Sequence, residues 1–279
     1  MKTIVVPTDL SREADHAIDV ALVFARHFNS EIHLVHVIQS IYDTAYADTA
    51  DLPVQGRKKF EQDLQAAHVE LADLAQRYKV ADIPIKASVK VGSIFQDIAD
   101  IIVNIEGDII VLGTKGDKGM HEFFIGSNAE KVVRRAHCPV VTVRNQMKDF
   151  RLKKVVFATD FAPNSDQLLN KLLAWQGITS FDIDLLYVNT QLHFMTTAQI
   201  NVRMHRFLKK HEDARLRTSI IDDYTELDGI HHYAAETGAD MIAMLTHGRE
   251  GVEHVLEGSL AEKLVNQAGI PILTYSLHH

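Results

Sequence analysis

The stretch KTIVVPTDLS at residues 2–11 recurs 151 positions later as KKVVFATDFA at residues 153–162. Further along, a glycine-containing segment recurs at an offset of 132, so that Gly116 matches Gly248 and Pro139 matches Pro271. The offsets differ by 19 positions, which indicates one net deletion in the middle of the second copy. A recurrence over nearly the whole chain predicts two copies of one domain, at residues 1–145 and 152–279.

The composition is that of a globular protein: 279 residues are 46% hydrophobic and 24% charged. The net charge of −8 argues against broad binding to a nucleic-acid backbone or to anionic lipid. No apolar run approaches the roughly 18 residues that span a bilayer. The single cysteine, Cys138, excludes an intramolecular disulfide and suits a reducing compartment. We therefore expect a cytoplasmic protein without nucleic-acid or membrane partners.

Each copy alternates short β-branched runs with longer helical patterns, which predicts an α/β fold with a five-stranded parallel sheet. In the first copy, an apolar stripe over residues 12–29 follows Ser11, a suitable N-cap, and residues 55–78 and 94–105 are similarly helical. Residues 39–54 lack a period and predict a long loop. The predicted strands are residues 2–6, 31–37, 83–89, 108–112 and 139–143, then 153–158, 182–188, 216–221, 240–244 and 271–275.

Three of these strand ends carry residues suited to a ligand site. Asp9, Val37 and the glycine-rich stretch after Leu112 each lie at the carboxyl end of a predicted parallel strand. Ligands of open parallel sheets lie outside the carboxyl ends of the strands, where the strand order reverses. The three segments therefore predict one pocket.

The glycine-rich stretch has the spacing Gly113-x2-Gly116-x9-Gly126, followed by Ser127. Glycines permit close approach of the backbone to a ligand, and a helix that begins at Ser127 presents free N–H groups at the positive end of its dipole. This arrangement suits an anion, above all a phosphate. The alternative is a helix that Ser127 merely caps. The recurrence of the pattern after the fourth strand of the second copy favours the phosphate site.

At these residues the sequence resembles the universal stress protein family, whose nucleotide-binding members carry Gly-x2-Gly-x9-Gly-[Ser/Thr]. The flanking segments PTD at residues 7–9 and AHCP at residues 136–139 agree with it, and both copies resemble it. The resemblance implies two tandem adenine-nucleotide-hydrolase-like (Rossmann-like) domains. It also implies that their last strands pair, so that the chain is an intramolecular pseudo-dimer. Association of whole chains into a homodimer stays open.

The resemblance further implies a site for ATP with Mg²⁺. Residues 7–9 and the backbone of Val37 would hold the adenosine, the first two glycines would flank ribose and phosphates, and residues 126–128 would bind the triphosphate, with Mg²⁺ bridging its oxygens. For Asp9, a purely structural role in the turn is an equal alternative. The candidate residues are Pro7, Thr8, Asp9, Val37, Gly113, Thr114, Gly116, Gly126, Ser127 and Asn128.

The second copy departs from the pattern at the first glycine. Leu245 stands where the first copy has Gly113, Ala158 replaces Pro7, and the segment Asp223-Tyr-Thr replaces residues 91–93. A leucine adds a side chain where close backbone approach is needed. We expect the second copy to bind nucleotide weakly or not at all.

These features favour an ATP-binding stress-response protein that acts as a nucleotide-dependent sensor or as a module that binds an unknown protein partner. No catalytic motif of an ATP-using enzyme, hydrolase or zinc protease is present, so at most slow ATP hydrolysis is expected. The alternative is a scaffold that binds no nucleotide, or a metal-binding protein, with a residual glycine loop. The histidines considered as metal ligands are His33, His36, His231, His232, His247 and His254. Neither the adjacent pair nor the pair three apart on a strand chelates by itself.

Overall fold

The computed structural model describes residues 1–39, 54–92, 107–114, 129, 132–133, 136–147, 149–212, 214–247 and 255–277. The chain divides into two compact units, Met1–Val132 with Gln146–Lys148, and Val133–Asn145 with Asp149–His279. Both units are α/β, as predicted. The predicted helix at residues 94–105 and most of the predicted loop at residues 39–54 lie outside the described residues. The repeat boundaries at 145 and 152 stay a prediction.

All ten predicted strands are confirmed. β1 and β4 are apolar and buried along most of their length, as strands covered on both faces of a parallel sheet must be. The strands are β1 (Thr3–Pro7), β2 (Glu31–Gln39), β3 (Ile85–Gly92), β4 (Ile109–Gly113), β5 (Val140–Val143), β6 (Lys154–Ala158), β7 (Asp182–Asn189), β8 (Leu216–Asp222), β9 (Met241–His247) and β10 (Ile272–Leu277).

The described helices are α1 (Arg12–Phe28), α2 (Val54–Arg77), α3 (Asp166–Gln176), α4 (Thr197–Leu208), α5 (Glu226–Thr237) and α6 (Val255–Gln267). Ser11 caps α1 as predicted, because its hydroxyl accepts a hydrogen bond from the N–H of Ala14 at 3.2 Å. The predicted apolar stripe of α1 is buried, and α1 packs on β1 and β4. α1 ends where Asn29 adopts a left-handed conformation with φ of 50°.

In the first unit the strand order is β3-β2-β1-β4, and all pairs are parallel. The chain proceeds from β1 through β2 to β3 in one direction and then returns to the other side of β1. The strand order therefore reverses between β1 and β4, which is the place where a sheet of this kind forms a ligand crevice.

The second unit repeats this order as β8-β7-β6-β9-β10 and adds β5 beside β10. β5 and β10 are antiparallel, with Thr142 opposite Ile272 and Val140 opposite Thr274. This pairing confirms the prediction that the last strands of the two repeats pair. It also covers the edge that β10 would otherwise expose to another chain.

The strand registers also show where the deletion lies. Ile4 pairs with Ile109 in the first unit, and Val155 pairs with Met241 in the second, which reproduces the offsets of 151 and 132. The second strand pairs with the third through Ile32 and Ile85 in the first repeat and through Ile183 and Leu216 in the second. The second strands therefore still follow the offset of 151, whereas the third strands already follow a shorter one. The shortening thus falls between the second and third strands, where α2 has 24 residues and α4 has 12.

Candidate functional site

The segment after β1 forms a tight turn at the carboxyl edge of the first unit's sheet. The hydroxyl of Thr8 accepts a hydrogen bond from the N–H of Leu10 at 3.0 Å, and Asp9 Oδ1 accepts one from the N–H of Ser11 at 3.0 Å. The Ser11 hydroxyl donates to the same carboxylate oxygen at 2.5 Å. These bonds hold Leu10 in the left-handed region with φ of 65°, which costs a side-chain-bearing residue about 1–2 kcal/mol.

The second unit has the same turn. The hydroxyl of Thr159 accepts from the N–H of Phe161 at 3.0 Å, Asp160 Oδ1 accepts from the N–H of Ala162 at 2.9 Å, and Phe161 has φ of 58°. Both repeats adopt this turn conformation, and both have Thr-Asp at its start. The turn is therefore a structural element that the two repeats share. Asp9 therefore has the structural role in the turn through Oδ1, while its side chain is exposed at the carboxyl edge of the sheet.

Six of the ten candidate residues are described, and all six lie at the carboxyl edge of the first unit's sheet. The register between β1 and β4, continued past Val5 and Ile110, puts Gly113 beside Thr8. Thr114 follows and is buried, whereas Pro7 and Gly113 are half-buried. Gly116, Gly126, Ser127 and Asn128 lie outside the described residues, so their placement stays a prediction.

Hydrogen bonds join the end of β1 to the neighbouring strand β2. The N–H of Thr8 donates to the carbonyl of Val35 at 2.9 Å. His36 Nδ1 donates to the carbonyl of Thr8 at 2.8 Å. Val37 is buried one residue further along β2. Hydrogen bonds therefore join the ends of β1 and β2 at the carboxyl edge of the sheet. The sequence analysis did not predict that His36 makes one of these bonds.

The corresponding edge of the second unit carries a different set of side chains. Leu245 stands at the position of Gly113, beside Thr159 when the register of β6 and β9 is continued. Thr246 is buried, and its hydroxyl has no hydrogen-bond partner among the described residues. The Asn189 amide donates to Asp222 Oδ1 at 2.8 Å, and this bond joins the ends of β7 and β8.

The sequence analysis matched the segment that begins at Asp223 with residues 91–93, and the strand pairs show that this match is wrong by one residue. Val91 pairs with Ile38, and Asp222 pairs with Asn189, which follows the 151-residue offset. Asp222 and Asp223 therefore occupy the places of Val91 and Gly92 in the first repeat. The second unit has two carboxylates where the first has none.

Glu226, at the start of α5, adds a third carboxylate to this edge. It accepts hydrogen bonds from Thr190 at 3.0 Å and from His193 Nδ1 at 2.8 Å. Burial raises the pKa of Glu226, but these hydrogen bonds outweigh burial and the net pKa lies below the ordinary value. A hydrogen bond from His232 at 2.8 Å lowers the pKa of Asp223. The edge stays negatively charged at neutral pH, which opposes the binding of phosphate groups.

Three of the histidines considered as metal ligands have other partners, whereas His231 Nε2 is buried without a hydrogen-bond partner among the described residues. His33 Nε2 lies 3.0 Å from the Ser88 hydroxyl, His36 bonds the Thr8 carbonyl, and His232 bonds Asp223. In the described part of the chain, no group of three or more His, Cys, Asp or Glu side chains is placed to hold a metal ion. His254 lies outside that part.

None of the described helices combines the length and the apolar character that crossing a membrane requires.

Comparison with known proteins agrees with this architecture. The sequence profile of the universal stress protein family matches residues 1–144 and 151–276. A universal stress protein of Methanocaldococcus jannaschii is 28% identical over 153 residues, covering 53% of this chain and 85% of that protein. Universal stress protein G of Salmonella typhimurium is 30% identical over 147 residues, covering 51% of this chain and 99% of that protein.

Among solved structures, a universal stress protein from Archaeoglobus fulgidus has a TM-score of 0.78 at 20% identity and covers 98% of both chains. A putative universal stress protein from Pseudomonas aeruginosa has a TM-score of 0.67 at 17% identity and covers 99% of this chain and 93% of that one. These two likenesses concern the fold alone. The two matches to the family profile, on two repeats of one α/β fold, show that the chain belongs to the universal stress protein family.

Proposed function

We propose that the first repeat binds ATP with Mg²⁺ and that the chain acts as a nucleotide-dependent sensor or partner-binding module. One observation carries the proposal. The ends of β1, β2 and β4 bring Pro7, Thr8, Asp9, Val37, Gly113 and Thr114 to the carboxyl edge of the sheet at the point where strand order reverses. The Gly-x2-Gly-x9-Gly-Ser spacing continues from that same edge.

The described residues fit the adenosine end of such a ligand. The turn from Thr8 to Ser11 is held by its own hydrogen bonds, so its backbone is preorganised for contact. Gly113 has no side chain to obstruct close approach at the end of β4. Residues 126–128 would hold the triphosphate through backbone N–H groups, and Mg²⁺ would neutralise part of the phosphate charge when bound. An acidic protein can bind ATP in this way because the site relies on backbone N–H groups.

The two repeats are expected to differ in affinity. Leu245 brings a side chain to the place of Gly113, and Asp222 and Asp223 bring carboxylates to the places of Val91 and Gly92. Bulk and negative charge both oppose a bound triphosphate. We propose one high-affinity nucleotide site per chain.

Hydrolysis is proposed to be slow at most. The sequence carries none of the catalytic motifs by which ATP-using enzymes place a general base beside the phosphates.

The test is calorimetric titration of the full chain with Mg-ATP. We expect one equivalent to bind. Gly113→Leu gives the first repeat the residue of the second and should abolish binding, whereas Leu245→Gly, the matched control, should leave the stoichiometry and affinity unchanged. Circular dichroism and thermal unfolding of both variants confirm that they fold.

Two results would reject the proposal. Two equivalents of ATP would show that the second repeat is also competent. No heat and no thermal shift with Mg-ATP, from protein that releases no adenine nucleotide on denaturation, would favour the scaffold alternative.

A further inference from the structure

Three large apolar side chains are exposed on two neighbouring loops of the second unit. Leu192 and Phe194 lie in the loop between β7 and α4 and are 74% and 68% exposed, and Tyr224, between β8 and α5, is 82% exposed. We call these three residues the apolar patch. Both loops leave the same carboxyl edge of the sheet, because β7 and β8 are parallel neighbours.

Hydrogen bonds hold the two loops together. His193, between the two apolar residues of its loop, bonds Glu226, which follows Tyr224 by two positions. Thr190 bonds the same carboxylate oxygen of Glu226 at 3.0 Å. The N–H of Met195 donates to the Asn189 side-chain oxygen at 2.9 Å at the other end of the loop.

Two backbone N–H groups of the second loop also donate hydrogen bonds. The N–H of Asp223 donates to the carbonyl of Asn189 at 3.1 Å, and the N–H of Tyr224 donates to Asp223 Oδ1 at 2.7 Å. Loops already held by hydrogen bonds lose little backbone conformational entropy when a partner covers their exposed side chains. Large exposed apolar patches with a polar rim are typical of interaction sites.

The rim of the apolar patch is acidic. The segment 222–228 around Tyr224 contains four Asp and Glu residues and no Lys or Arg, and the first loop, residues 190–196, also has no Lys or Arg. Asp222 and Asp228 are exposed on either side of Tyr224, and Asp223 is half-buried between them. A partner must therefore match apolar contacts with positive charge.

We propose that this surface binds a basic amphipathic segment of another protein, one that presents apolar side chains among Lys or Arg residues. The charge decides against two other occupants. A second copy of this patch would bring its own carboxylates against these, and a membrane of anionic lipid would repel them. The surface lies in the second unit and does not require nucleotide in the first, so its test is independent of ATP.

The probe is a fluorescein-labelled peptide of about 18 residues with Leu and Lys in helical periodicity, long enough to form a helix on binding. A matched peptide has Glu in place of Lys. Binding is measured by fluorescence anisotropy without nucleotide, first on the native full chain. The triple variant is Leu192→Ser/Phe194→Ser/Tyr224→Ser, and the Asp→Asn pair is Asp222→Asn/Asp228→Asn. A further variant is Val69→Ser/Ile178→Ser. The last variant is the matched control, since Val69 and Ile178 are 61% and 60% exposed.

The Lys peptide should bind the native chain, and the Glu peptide should not. The triple variant should lose about tenfold or more in affinity and the Asp→Asn pair about threefold, while the control keeps native affinity. Phe194→Ser alone, expected to lose about threefold, serves if the triple variant unfolds.

Native affinity in the triple variant, equal loss in the control, or equal binding of the Glu peptide would each overturn the proposal. So would self-association that the triple variant abolishes in sedimentation velocity, because the occupant would then be a second copy.

Discussion

Gly229 packs so closely on β7 that adding one methyl group should destabilise the second unit. A Cβ at this position in α5 would lie 2.4 Å from Val188 Cγ1, 3.0 Å from Val188 Cγ2 and 3.2 Å from Asp223 Cβ. Carbon atoms in contact are normally about 3.5–4.0 Å apart, so α5 must move away from β7 by about 1 Å. A change of rotamer gives little relief, because the branched Cβ of Val188 restricts rotation about χ1.

The magnitude follows from two opposing effects. Overpacking here costs about 2–3 kcal/mol, the upper part of the usual range, because the contact with Val188 Cγ1 is as short as 2.4 Å, and replacing glycine by alanine within a helix gains about 1 kcal/mol. We expect Gly229→Ala to lower the free energy of unfolding by about 1–2 kcal/mol. With a urea m-value of about 2 kcal/mol per M, the midpoint should fall by about 0.5–1 M.

Urea unfolding followed by tryptophan fluorescence measures this change. Trp175 is the only tryptophan of the chain and is buried in α3 of the second unit, so its signal reports that unit. Gly177→Ala is the control, because its Cβ would meet nothing closer than 3.6 Å, and it should change stability by less than about 0.5 kcal/mol.

A double-mutant cycle with Val188→Ala tests the cause. Removing both Cγ atoms makes room for the new methyl group, so the double variant should be about 1–2 kcal/mol more stable than the sum of the single effects. An unchanged urea midpoint for Gly229→Ala, or additive effects in the double-mutant cycle, would show that the contact with Val188 does not limit the stability of the second unit.

The remaining predictions concern titration, capping and the phosphate loop. The hydrogen bond to Asp223 raises the pKa of His232 above 6.5, so its contribution to stability is present below pH 6.5 and lost as the pH rises through the raised pKa. Burial lowers the pKa of the adjacent His231, so its contribution is lost as the pH falls below 6.5. NMR titration should show opposite shifts, and Asp223→Asn should return only the pKa of His232 toward 6.5; shifts in the same direction would contradict the assignment. Ser11→Ala should cost about 1 kcal/mol in thermal unfolding through the lost cap of α1, and an unchanged melting temperature would disprove that role. Gly126→Leu should prevent binding of Mg-ATP in calorimetry, and retained affinity would show that another loop binds the phosphates.

Much of the fold is readable from the sequence for identifiable reasons. Residues 3–7 are predictable as a strand because a short β-branched run suits a strand whose two faces are both covered. The segment after Ser11 is predictable as a helix because its apolar residues recur on one helical face. The turn conformation of Leu10 and Phe161 was not predicted, although the repeated Thr-Asp before each of them was a signal for it. Four of the ten candidate residues, Gly116, Gly126, Ser127 and Asn128, rest on spacing and family resemblance.

The repeat, its α/β class and the positions where the second copy loses the glycine pattern can be read from the amino-acid sequence, because they depend on local composition and on comparison of one half with the other. Only the tertiary structure located the deletion between β7 and β8 and joined Asn189 to Asp222 and His193 to Glu226. Those partners lie 33 residues apart in the chain, and their meeting depends on strand register, which composition does not encode. The acidic edge and the exposed apolar side chains beside it follow from that register.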